Sequence, residues 1–183
     1  MALLILGIVL WAAAHFFKRI APDARARMGD AGRGVVTVLL LASLAAMIFG
    51  YRAAPFITVW SPPAFMTHIN NLLMVLALYL FASSTARPGK VWIASKVKHP
   101  QLAAFKTWAV AHLLVNGDLA SVLLFGGLFA WALASVIIIN RTDGPGDRSS
   151  APVQSEGRLI VATVIAFSVI AVVHTLLGKW PFA

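Results

Sequence analysis

Apolar residues in this chain come in long unbroken runs, rather than in the alternation of a half-buried strand or the single stripe of a soluble amphipathic helix. Six runs predict membrane-spanning helices, at residues 2–17, 35–51, 64–84, 102–115, 119–140 and 159–177. Crossing ~30 Å of hydrocarbon takes about 20 mostly apolar residues, so the first and fourth runs are short. The expected fold is all-α: a polytopic membrane helical bundle of about six transmembrane helices, forming a single membrane domain over residues 1–183. Between the runs, residues 53–63 carry Pro55, Pro62 and Pro63, which stop the second helix and favour extended or turn backbone. Residues 142–157, rich in Gly, Pro and Ser, read as a flexible cytoplasmic loop.

Composition agrees with the pattern: 60% of the 183 residues are hydrophobic and the mean hydropathy is +0.86, which excludes an ordinary soluble domain. Charge adds an orientation. Lys18, Arg19, Arg25, Arg27 and Arg33 fill the first gap, Arg87, Lys90, Lys96 and Lys98 the third, and Arg141, Arg148 and Arg158 the fifth. Twelve basic residues thus face one side, against only Arg52 and Lys179 on the other, with Lys106 just inside the fourth span. By the positive-inside rule the basic gaps are cytoplasmic and both termini lie outside the cytoplasm. Ala12 to Ala14 resemble a signal-peptide cleavage site, but the first run lacks a positive start and its charges follow it, so it reads as a retained helix. A net charge of +9 invites a nucleic-acid reading, yet no polar domain interleaves basic with aromatic residues; attraction to anionic lipid is the expected consequence. The absence of cysteine excludes disulfides, thiolate ligands and iron–sulfur clusters.

Ionisable residues inside spans are costly and are functional candidates by default. Here they are His15, His68, His112, His174, Lys106 and Asp118, with His99 at the interface. Helical rise places His15 about 5–10 Å and His112 about 16 Å from the cytoplasmic side, His174 about 22 Å from it, and His68 near the outer end. Two histidines on one haem iron need similar depth, and His15 with His112 is the best-matched deep pair. For each histidine alone, an interhelical hydrogen bond is an equal reading. Asn116-Gly117-Asp118 lies between the fourth and fifth runs. A helix from Pro100 to Val115 rises only about 24 Å, so this turn either sits at the outer surface or lies below it, inside protein or beside a cavity. No His-Glu-x-x-His helix, Gly-x-Ser-x-Gly elbow or phosphate-binding loop is present. Gly126 and Gly127 are expected to allow close helix approach.

The run Lys98-His99-Pro100-Gln101-Leu102, continued by Lys106-Thr107-Trp108-Ala109-Val110-Ala111-His112 and Asn116-Gly117-Asp118-Leu119-Ala120-Ser121, resembles the hallmark of the NnrU family. The opening span with His15, Gly50-Tyr51 and the closing segment with His174 also fit. The resemblance implies a bacterial inner-membrane protein linked to denitrification and to nitrite and nitric oxide reduction. NnrU proteins are similar in turn to zeta-carotene isomerase, a membrane enzyme with histidine-ligated b-type haem. That likeness implies haem b with His15 and His112 as axial ligands. Lys98 and Lys106 would then pair with the propionates, Asn116 and Asp118 orient a ligand or water, and His99 and His174 hydrogen-bond within the site. Where the isomerase has a cysteine one turn before its second histidine, this chain has Ala109, so thiolate ligand exchange is excluded and carotene isomerisation loses support while haem binding does not. The implied surroundings are the lipid bilayer, nitric oxide or an apolar small molecule, and a reductase complex. The bundle core is expected from spans one, four, five and six. Alternative readings are a non-catalytic assembly or sensor component without cofactor, a haem-dependent carotenoid-type isomerase, and a membrane methyltransferase. The last rests on Lys98-His99-Pro100 alone, since the chain has no acid after Glu156.

Overall fold

A computed structural model describes residues 1–85, 91–143 and 156–182. Among these, the chain forms helices α1 (Ala2–Ile20), α2 (Pro22–Arg27), α3 (Ala31–Arg52), α4 (Met66–Ser83), α5 (Trp92–Lys96), α6 (Pro100–Val115), α7 (Leu119–Asp143) and α8 (Gly157–Leu176). Arg87, Lys90, Arg148 and all but the ends of the loop expected at 142–157 lie outside the described residues. Five helices, α1, α3, α4, α7 and α8, are long and apolar enough to cross a membrane. The sixth expected span is α6, whose 16 residues rise only about 24 Å.

Side-chain exposure follows from the solvent. On α8, Val161, Val164, Ile165, Val169 and Val172 are all exposed, as a helix solvated by lipid requires. Apolar side chains gain little from leaving lipid, so the helices pack where backbones approach closely. A Cβ on Gly7 would lie 2.8 Å from the Met47 backbone nitrogen, and one on Gly50 would collide with the Leu4 backbone, so α1 lies directly on α3. Gly127 meets Ile8 of α1, whereas Gly126 has nothing within 4 Å and plays no part in close approach. The core differs from expectation: α6 sits between α4 and α7, α1 packs on α3 and α7, and α8 leans chiefly on α4. The third span thus takes the inner place that the sixth was expected to fill.

Both ends of the bundle are tied by polar contacts. At the basic end Arg19 donates to Thr142 at 2.6 Å and to Asp143 at 3.1 and 3.2 Å, and Lys98 donates to Asn140 Oδ1 at 2.6 Å, with His99 Nε2 3.0 Å from the same oxygen. Glu156, capping α8, accepts from Tyr79 Oη and from the Trp92 backbone N–H, both at 2.7 Å. The first, third and fifth gaps therefore share one end, as the charge pattern requires. At the opposite end the 53–65 segment folds back over the α6–α7 turn. Gly117 O accepts from the N–H groups of Val59 (2.7 Å) and Trp60 (3.0 Å), and Leu119 N–H donates to Ile57 O at 2.8 Å. Gly117 and Asp118 are buried, so this turn is covered by protein, the condition under which non-helical backbone is tolerated next to a short span.

Candidate functional site

Each deep histidine is held by its own helix. Nδ1 of His15 lies 2.9 Å from Trp11 O, Nδ1 of His112 2.9 Å from Trp108 O, and Nδ1 of His174 2.8 Å from Ile170 O. A carbonyl oxygen only accepts, so Nδ1 carries the proton in each case and Nε2 of the neutral ring keeps its lone pair. Among the described residues, none of these three Nε2 atoms has a hydrogen-bond partner.

The histidines divide between two clefts. His15 lines a cavity of about 500 Å³ at the basic end. Its apolar wall is Trp11, Phe16, Leu102, Phe105, Trp131 and Ile139, and Arg19, Lys98 and His99 stand at its rim. The His15 ring is 4.3 Å from that of Trp11 and 4.7 Å from that of Trp131. The indole Nε1 atoms of Trp11 and Trp131 are buried and, among the described residues, have no hydrogen-bond partner. Buried indole donors are normally satisfied, so two orphans flanking one imidazole mark a place where an acceptor belongs. The second cleft, about 290 Å³, lies between α4, α6 and α8 and is lined by Met74, Ala77, Phe81, Phe105, Trp108, His112 and His174 among others.

Of the residues selected from sequence, the structure brings His15, Lys98 and His99 together in the first cleft and His112 and His174 in the second. His15 and His112 are linked through a chain of ring contacts, His15 to Trp131 (4.7 Å), Trp131 to Phe105 (5.5 Å), Phe105 to Trp108 (6.1 Å) and Trp108 to His112 (5.1 Å). Their α7 neighbours, Trp131 and Phe125, are six residues apart, about 9 Å along the helix. Lys106 lines neither cleft. Asn116 Nδ2 donates to His112 O at 2.8 Å, finishing α6. Asp118 caps α7, Oδ1 accepting from Ser121 N–H (3.0 Å) and Oδ2 from Ser121 Oγ (2.5 Å), and Ser121 Oγ is also 2.8 Å from Tyr51 Oη.

Trp11, Trp131, Phe105 and Arg19 were not singled out by sequence reasoning. A signal was present: Trp11-x-x-x-His15 and Trp108-x-x-x-His112 share a spacing that sets an indole over an imidazole one helical turn away. Among the described residues no three His, Asp or Glu side chains converge to hold a metal ion. The first cleft suits a prosthetic group: a tethered imidazole, aromatic walls, a cationic rim and unsatisfied indole donors, in a volume within the range of small-molecule sites.

No curated protein and no solved structure matches the chain. The family model described as NnrU protein matches residues 3–181, nearly the whole chain, and the chain accordingly belongs to the NnrU family.

Proposed function

We propose that this NnrU-family protein binds b-type haem in the His15 cavity and serves nitrogen-oxide metabolism in the bacterial inner membrane, with both termini periplasmic. The observation that carries this reading is the cavity itself, which combines an imidazole whose Nε2 is available with a cationic rim. His15 would hold the group through Nε2, its proton being kept on Nδ1 by Trp11 O, the usual support for a ligating histidine. Arg19 and Lys98 would neutralise the propionates, and the rings of Trp11, Phe105 and Trp131 would pack on the macrocycle. Haem b supplies one-electron chemistry and a position for a small ligand such as nitric oxide. The family resemblance supports the nitrogen-oxide setting, and the gathering of basic loops at one end supports the orientation.

The equal tethering of His112 favours one other arrangement, a haem held by His15 and His112 together. It requires Trp131, Phe105 and Trp108 to part, since their rings link the two histidines.

Absorption spectra and a pyridine haemochrome assay on detergent-purified protein test both. We expect stoichiometric b-type haem, lost in His15→Ala and retained in His112→Ala. Loss in both variants indicates the shared arrangement. A protein that stays colourless after haem addition sinks the cofactor reading and leaves an assembly or sensor component.

A further inference from the structure

The second cleft has a chemistry of its own. Apart from its two imidazoles its lining is hydrocarbon, thioether and aromatic, and among the described residues no Lys or Arg lines it. Both imidazoles have Nδ1 committed to a backbone carbonyl, so each presents Nε2 as an acceptor, and among the described residues neither is partnered. A cleft that offers two acceptors and no cation selects against anions and favours a neutral ligand bearing hydroxyl donors. The walls favour a flat ring: Phe81, Phe105 and Trp108 are aromatic, and Met74 is the polarizable side chain that best adapts to one. Phe81, which lines the cleft, is exposed on the membrane-spanning α4, so the cleft reaches the lipid-facing surface there.

We infer that the cleft between α4, α6 and α8 binds a membrane-dissolved hydroquinone, the ring packed among Phe81, Phe105 and Trp108 and its two hydroxyls donating to Nε2 of His112 and of His174. Binding alone is inferred, with no electron transfer. The inference is independent of haem in the His15 cavity. It carries a redox preference: the quinone form has carbonyl acceptors and no donor, so it binds more weakly than the quinol to two neutral imidazoles.

The test uses full-length protein in lipid nanodiscs, labelled with ¹⁵N-histidine and titrated anaerobically with decylubiquinol. The Nε2 resonances of His112 and His174, identified by their absence in His112→Phe and His174→Phe, are expected to move toward hydrogen-bonded positions. Each variant is expected to bind about tenfold more weakly, the effect of one lost hydrogen bond. Decylubiquinol dimethyl ether, the same ring and tail with both hydroxyls methylated and so without donors, is expected to bind wild type no better than the quinol binds the variants. Equal binding of ether and quinol, or unmoved His112 and His174 resonances, overturns the inference. His174 is on the peripheral helix, so His174→Phe decides the matter if His112→Phe does not fold. An unchanged haem spectrum in His174→Phe separates this result from any failure of the haem reading.

Discussion

Gly117 has the tightest environment in the turn between α6 and α7. A Cβ there would collide with the Trp60 carbonyl, while its own oxygen takes two N–H groups from the 53–65 segment. Its φ is not positive, so crowding rather than backbone conformation demands glycine. Gly117→Ala is expected to lower stability by about 1–3 kcal/mol, the range for overpacking, and to lower the melting temperature of the detergent-solubilised protein; an unchanged melting temperature would show that the covering segment yields freely. The turn was legible in Asn116-Gly117-Asp118, and so, in principle, was the cap, because an Asp immediately before an apolar run is an N-cap signal. What could not be read was the partner. Val59 and Trp60 belong to a stretch whose prolines announce only that a helix ends, and no local rule links it to a turn so far along the chain.

The five long helices were legible because a bilayer sets a length and a polarity that each must meet, and α6 was legible as a shorter apolar run between them. Their pairing was not, since hydropathy gives a helix no preferred neighbour and lipid solvates every apolar face alike. Gly7 and Gly50 decide that α1 lies on α3, yet in sequence they look no different from Gly126, which meets nothing. The shortness of α6 was visible, and so was the depth order of His15 and His112. Their separation into two clefts was not, because it depends on α7 setting Trp131 and Phe125 beside different histidines. Glu156 ties three helices by joining the start of α8 to Tyr79 of α4 and Trp92 of α5. Glu156→Ala is expected to remove an acceptor worth about 1.5–3 kcal/mol and to speed hydrogen exchange at the Trp92 amide, with Glu156→Gln in between. Unaltered exchange at Trp92 in Glu156→Ala would mean that the clasp does not hold the end of the bundle.

For the molecule as a whole, the absence of native cysteine makes orientation directly measurable. Ser61 is exposed at the end bearing the 53–65 segment, and Asp23 is exposed at the basic end. A membrane-impermeant maleimide added to cells with a permeabilised outer membrane is expected to label Ser61→Cys and to spare Asp23→Cys until the inner membrane is opened. The reverse pattern would invert the proposed topology. This follows from the clustering of basic loops at one end, a property of the whole chain that no single loop establishes.

The covering of Gly117 by residues 57–60 also imposes an order on assembly. Trp60 leaves the ribosome 57 residues before Gly117, an interval of about 3–11 s at ordinary rates of synthesis. Throughout that time the amides of Val59 and Trp60 lack the carbonyl that will receive them, and hydrocarbon offers no substitute. The segment must therefore wait at the wet face of the membrane until the α6–α7 hairpin has been inserted. One of the earlier-made parts of the protein is thus among the last to reach its place.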